Sequence, residues 1–402
     1  AWRWMRSSAP HPTGNPTPNE FSAYRCEFIK DHLRPMSVVS QPEPYAKERA
    51  IVGCILGTAV GDAMGLACEG LSRRRQLKMF PELTGYKLLP GGKSLCSDDT
   101  EHTCMLAQSL IGVAGLDADL AARQFASGFG WRLRFWLLGM PAGIGLATLR
   151  AIVKLWIGFP ARYSGVYSAG NGPAMRAALI GVCHGDDPPR MRALASAATR
   201  ITHTDPKAEH GALAVALAAH LAAAGADIAP TDYARKLREL LGTGGGELAA
   251  LADAVARSVD LKESAADYTA RNGGANGVSG YMLHSVPAAL HVWLGHQADY
   301  RGAVTATVRL GGDSDTVAAI VGAIIGARVG REGIPSEWLE NLWEWPRTTA
   351  WMERLGARLA ASCSGRVNGS SLPLNWPGLL LRNALFIPLV LAHGFRRLLP
   401  PY

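Results

Sequence analysis

Strand-like patterning is almost missing from this 402-residue chain. Period-two alternation and β-branched enrichment are weak throughout, which argues against a sandwich or barrel. Charged residues are also scarce, at 18% against 48% hydrophobic, a balance that excludes global disorder and leaves ample material for a core. There are seven cysteines and no CxxC pair, so neither a disulfide framework nor a thiolate zinc site is expected, and a reducing cytoplasm is. Aromatic residues make up 7% and never interleave with basic ones as on a nucleic-acid platform, so nucleic acid is not an expected partner despite a net charge of +8. The basic excess is local at Arg73–Arg75 and Arg396–Arg397 and otherwise diffuse, which suits a phosphate-bearing small molecule better. No repeat of ~20–50 residues is present. The opening residues run into Ser, Pro, Thr and Asn rather than an apolar stretch, so no signal peptide is expected. Near the C-terminus, Ala384–Ala392 is apolar but contains Pro388 and falls short of the ~20 residues that span a bilayer. No transmembrane span is therefore expected. Arg396 and Arg397 leave a peripheral membrane contact open, and a tail strapped onto the core is the favoured reading.

What is present is helix. Residues 1–45 read as a Pro/Ser/Thr/Asn-rich extension, partly disordered or partner-binding. Residues 46–361 read as a catalytic domain of Ala/Leu/Gly-rich helices, and 362–402 as a Ser/Gly-rich linker followed by the apolar and basic tail. Asp205-Pro206 is a cap followed by proline in a first turn, and Ala212–Ala224 is apolar all round, as in a buried helix. Further helices are expected at Thr100–Leu110, Leu116–Gly128, Ala174–Cys183, Met191–Thr199, Tyr233–Leu241, Glu247–Ser258, Pro287–Leu294, Tyr300–Leu310 and Val317–Val329. The expected fold is an all-α, compact orthogonal multi-helix bundle.

Two constellations carry chemistry. In Ser97-Asp98-Asp99-Thr100-Glu101, Ser97 can cap a helix whose first turn holds two carboxylates. In Gly311-Gly312-Asp313-Ser314-Asp315-Thr316, two acids precede an apolar helix. Taken singly, each is also what an ordinary capped turn looks like. Together they are two oxygen-rich turns opening buried helices far apart in sequence. Their carboxylates would repel in one cleft unless cations lay between them. Oxygen donors suit Mg²⁺, Mn²⁺ or Ca²⁺ rather than zinc or copper.

With Gly57-Thr-Ala-Val-Gly61-Asp62-Ala-Met-Gly65, Gly170-Asn171-Gly172 and Thr202-His203 in the same order along the chain, the sequence resembles the ADP-ribosylglycohydrolase family of the dinitrogenase reductase-activating and ADP-ribosylarginine hydrolase type, from about Arg49 to Trp345. The resemblance implies two Mg²⁺ or Mn²⁺ ions held by Ser97, Asp98, Asp99, Asp313, Asp315 and Thr316. Ser97 and Ser314 stand where the family commonly has Thr. It also implies catalysis by Asp98, Asp99 and Asp315 with Glu69 as a flap acid. Gly143 and Gly145 would offer backbone N–H groups to a pyrophosphate. Tyr167, Ser168, Gly170, Asn171 and Gly172 would line the ADP-ribose cleft, with Ala169 where relatives often carry an aromatic. His203 would lie near the distal ribose, whereas His210 and His220 read as structural.

The activity so implied is metal-dependent hydrolysis of the N-glycosidic bond joining ADP-ribose to protein, arginine-linked ADP-ribose being the favoured substrate. Some arginine-specific members use an Asp near the phosphate loop, and Met140–Gly145 has no acid. Serine-linked or free acetylated ADP-ribose, and a non-catalytic binder on the same fold, are the alternatives. The extension at 1–45 suggests an immunity protein that reverses, or directly plugs, an ADP-ribosylating toxin.

Overall fold

A computed structural model describes residues 44–366 and 370–400. Among them no β-strand forms, and pairing is limited to isolated bridges such as Leu71 with Gly312 and Val278 with Gly312. The longer helices are α1 (Pro44–Gly65), α2 (Asp98–Ile111), α3 (Ala118–Leu138), α4 (Leu146–Trp156), α5 (Pro188–Arg200), α6 (Pro206–Ala223), α7 (Pro230–Leu241), α8 (Gly246–Asp260), α9 (Met282–Gly295), α10 (Ser314–Val329), α11 (Thr349–Cys363) and α12 (Trp376–Arg396). The expected extension at 1–45 lies almost wholly outside the described residues.

Helices α1, α6 and α10 carry apolar residues on every side and form the centre, with α1 lying along α10. The contact is a glycine stripe. Gly53, Gly57, Gly61 and Gly65 recur at four-residue spacing and so fall on one face of α1. A Cβ on Gly57 would stand 2.1 Å from the Gly322 carbonyl oxygen, and one on Gly53 2.1 Å from that of Gly326. The two backbones touch directly, and the contact runs the length of α1 to its C-terminal end. There Ser314 Oγ donates to the Gly65 carbonyl at 3.1 Å, which seats the N-terminus of α10 beside Asp62.

Several boundaries differ from expectation. α9 starts at Met282 rather than Pro287, so proline sits inside the helix at the cost of one backbone bond. The expected Ala174–Cys183 helix is a 3₁₀ turn at Ala174–Arg176 followed by a short α-helix at Ala178–His184. The larger difference is the tail. The apolar stretch around Ala384–Ala392 lies within a 21-residue helix that continues through Pro388. By length and composition alone, α1 and α12 could each cross a membrane.

The inner side of α12 belongs to the protein. Arg382 donates to Glu344 Oε2 and to the Cys96 carbonyl, each at 2.6 Å, and Asn383 donates to the Gly139 carbonyl at 2.7 Å. Phe386 packs against Leu66, Ala67, Leu88 and Leu95.

Candidate active site

The site begins on α1 with Asp62, which is fully buried and caps α2 from outside that helix. Its Oδ2 accepts from Ser97 N at 2.9 Å, Thr100 N at 3.2 Å and Thr100 Oγ1 at 2.5 Å. Burial pushes its pKa up to about 6, against the pull of the Thr100 and Ser97 hydrogen bonds. Sequence reasoning gave Asp62 no role. Its signal was the Gly61-Asp62 pair, a carboxylate placed where a neighbouring glycine lets another backbone approach.

The first turn of α2 follows. Ser97 is its N-cap, and its hydroxyl donates to Asp99 Oδ2 at 3.0 Å. Thr316, in the first turn of α10, donates to the same Asp99 oxygen at 3.3 Å across 217 positions of sequence. The two acidic turns therefore meet. Asp315 is buried, Asp98 and Asp313 are partly exposed, and Asn171 Nδ2 donates to Asp313 Oδ2 at 2.7 Å.

Burial raises the pKa of all four carboxylates, and neighbouring acids add to the rise at Asp98, Asp99 and Asp315, whereas hydrogen bonds pull Asp313 back. Asp98 and Asp62 act on Asp99, and Glu69, Asp313 and Asp99 act on Asp315. Glu69 is half-buried and is also pushed up by burial, while Arg397, 3.9 Å away, pulls it down and Asp313 pushes it up.

The acids of the second turn are aimed by Gly311 and Gly312, both with positive φ, at 72° and 77°. Gly312 is clamped on both sides, since its N–H donates to the Leu71 carbonyl at 2.7 Å and its carbonyl accepts from Gly70 N at 2.7 Å. A Cβ on Gly312 would stand 2.0 Å from the Val278 carbonyl oxygen, so no side chain fits there.

Two loops close around the acids. A Cβ on Gly143 would be 3.9 Å from Asp98 Oδ1, and Gly145 opens α4 without a side-chain cap, which leaves first-turn N–H groups available to an anion. In the other loop, Ser168 Oγ accepts from Gly170 N at 3.3 Å. Its Gly172 comes close to Thr148 of α4. Tyr167 is 80% exposed.

His203 is buried behind this second loop. Its Nδ1 pairs with Thr202 Oγ1 at 2.9 Å, and a Cβ on Gly170 or Gly172 would come within 3.0 or 3.2 Å of the imidazole. Burial and then Arg176 lower its pKa to about 3, which makes it a neutral brace for the loop. Arg176 donates to Thr202 Oγ1 at 2.7 Å and so supports the same brace. Of the expected site residues, Ser97, Asp99 and Thr316 are thus joined directly, as are Asn171 and Asp313, while the loop glycines rim the acids, His203 lies behind, and Tyr167 projects outward.

Among the described residues no three Asp, Glu, His or Cys side chains form a ready-made metal cluster. Acid oxygens instead take hydroxyl and amide partners. A divalent ion nevertheless fits the donor chemistry. Asp99 Oδ1 and Asp315 Oδ1 are both buried without a hydrogen-bond partner, while Ser97 and Thr316 meet Asp99 with hydroxyls and Asn171 meets Asp313 with an amide.

The fold and site together define an all-α bundle with carboxylates pooled where two buried helices begin. The chain belongs to the ADP-ribosylglycohydrolase family, whose model matches residues 43–368. It is 28% identical to the ADP-ribosyl-[dinitrogen reductase] glycohydrolase of Rhodospirillum rubrum, over 74% of this chain and 92% of that one. It is 27% identical to ADP-ribosylhydrolase ARH3 of Gallus gallus, over 72% and 88%, and 27% identical to the ADP-ribosylarginine hydrolase Tri1 of Pseudomonas putida, over 72% and 73%. A solved structure titled as an ADP-ribosylglycohydrolase-related protein complex matches with a TM-score of 0.55 at 28% identity, over 79% of this chain and 99% of that chain. The chain is accordingly a hydrolase of the family that cleaves ADP-ribose glycosidic bonds.

Proposed function

We propose that this protein removes ADP-ribose from arginine side chains of modified proteins, with two Mg²⁺ or Mn²⁺ ions held by Ser97, Asp98, Asp99, Asp313, Asp315 and Thr316. The observation that carries this reading is the Thr316–Asp99 contact, which joins the two acidic turns and leaves two buried carboxylate oxygens unpaired beside it. When bound, the ions supply Lewis acidity toward water and ribose hydroxyls.

The chain's own residues do the rest. The free N–H groups at Gly145 and the start of α4 hold the pyrophosphate, and Asn171 orients Asp313 at the ribose. Glu69, made more basic by burial, takes a proton from the attacking water as its oxygen bonds to the anomeric carbon and the carbon–nitrogen bond breaks. The bonding pair leaves with the guanidine nitrogen, which takes up the proton that Glu69 removed from the water. The surrounding carboxylates stabilise the positive charge that develops on the sugar.

Arginine is preferred because a guanidinium suits a mouth lined by Asp98, Asp313 and Glu69, each part-exposed. A relative's name also carries that linkage. The serine-linked alternative keeps the same acids. Cytoplasmic residence fits the six described cysteines, all free. Direct plugging of a toxin would rest on residues 1–45, and unchanged toxin binding after deleting residues 1–40 would remove that idea.

The deciding assay is ADP-ribose release from arginine-modified and serine-modified protein, with Mg²⁺ or Mn²⁺ and with chelator. Release from the arginine substrate alone, lost in chelator and in Asp98→Ala and Asp315→Ala, is the expected outcome. Full activity in chelator would sink the metal-assisted reading, and serine-only release would reassign the substrate.

A further inference from the structure

Helix α12 is apolar on its outward side and carries polar groups as well as Leu379 and Phe386 on its buried side. Its inward face carries Arg382 and Asn383, both buried and bonded to Glu344, Cys96 and Gly139. Its outward face is apolar, with Leu381, Leu385, Leu391 and Phe395 exposed by 57%, 62%, 55% and 67% and no charged side chain among them. Helices that meet water show the opposite arrangement. Of the most apolar 18-residue window, 94% is buried in α1 and only 22% in α12.

The patch continues beyond the helix. Phe135 and Leu138 of α3 line one hollow with Trp376 and Leu380. At the other end Leu398 and Leu399 are exposed, and Arg75 donates to the Leu399 carbonyl at 2.7 Å, which brings the Arg73–Arg75 run against them. Arg73, Arg74 and Arg396 are exposed at that end.

We propose that this face docks on an anionic lipid bilayer. α12 lies flat, its outward leucines and Phe395 enter the acyl boundary, and Arg73, Arg74 and Arg396 meet the headgroups. Charge of one sign beside a broad apolar strip complements such a surface. Spanning is excluded, because it would pull Arg382 away from Glu344, and both side chains are buried in the protein. The docking surface uses none of the carboxylates, although Arg397 at its tail end lies 3.9 Å from Glu69, and flotation reads it without reference to hydrolysis.

The test is flotation of the full chain with phosphatidylcholine vesicles, with and without phosphatidylglycerol, at low and high salt. The chain should float with the anionic vesicles and be released by salt. Arg73→Glu with Arg74→Glu should weaken partitioning roughly tenfold or more. Leu385→Asp with Phe395→Asp should abolish it, at an unchanged unfolding midpoint because both positions are exposed. Failure to float with anionic vesicles would overturn the proposal. So would a concentration-dependent dimer that Leu385→Asp dissociates, which would assign the face to a second copy.

Discussion

Asp62 touches no expected substrate group, yet it sets where the Ser97–Thr100 turn lies. Asp62→Ala should lower activity about 10- to 100-fold, the usual effect of losing a group that orients metal ligands, with affinity for Mn²⁺ falling in parallel by calorimetric titration. Asp62→Asn keeps one acceptor and should lose less. Arg382 and Glu344 form a pair with side chains only 2% and 1% exposed. Arg382→Ala leaves Glu344 buried and unpaired, and should cost about 3–5 kcal/mol by denaturant midpoint. Arg382→Met combined with Glu344→Gln should recover much of that loss. The acids of the two turns were legible as residues because Asp/Ser/Thr turns opening apolar helices are a local pattern, and Asn171 was legible through the family resemblance. Asp62, Arg382 and Glu344 were not, because a single charged residue in an apolar stretch reveals its partner only once the chain has folded.

At the scale of elements, the contact between α1 and α10 decides whether a site exists, since it brings Asp62 and Asp315 to the same end of the bundle. Gly57→Ala places a methyl group 2.1 Å from the Gly322 carbonyl oxygen, and the backbone there has no flexible side chain to move. It should cost roughly 1–3 kcal/mol or more by urea unfolding. Residual activity should fall further than stability alone explains, because a shifted α10 carries Asp313, Asp315 and Thr316 with it. The glycine spacing on α1 was visible in sequence, but the partner helix was not, because two glycine-bearing faces identify each other only by distance. α12 was missed because Pro388 reads as a break, whereas one absent donor in a 21-residue helix is a tolerable loss.

For the whole molecule, buried neutral histidines set an acid limit. Burial lowers His203 to about 3 and His291 to about 4, both from an ordinary 6.5, and pushes His102 down as well. The unfolded chain binds the extra protons, so the stability these groups contribute is full above pH 6.5 and is lost as pH falls toward 4 and then 3. The unfolding midpoint should fall between pH 7 and 5, with each group adding a slope of up to about 1.4 kcal/mol per pH unit. His291→Gln should flatten that slope.

The pooled carboxylates act in the opposite sense. Their raised pKa values mean that their contribution is lost as pH rises, so at neutral pH Mg²⁺ or Mn²⁺ should raise the melting temperature, and chelator should lower it most at higher pH. Local chemistry in the sequence was enough to determine an all-α chain, its capped acidic turns and its family, because periodicity, caps and short motifs act within a few residues. Which acids meet, which arginine supports them and which face of the last helix is left apolar were decided only by tertiary structure, because close backbone packing and buried charge pairing join residues that are distant along the chain.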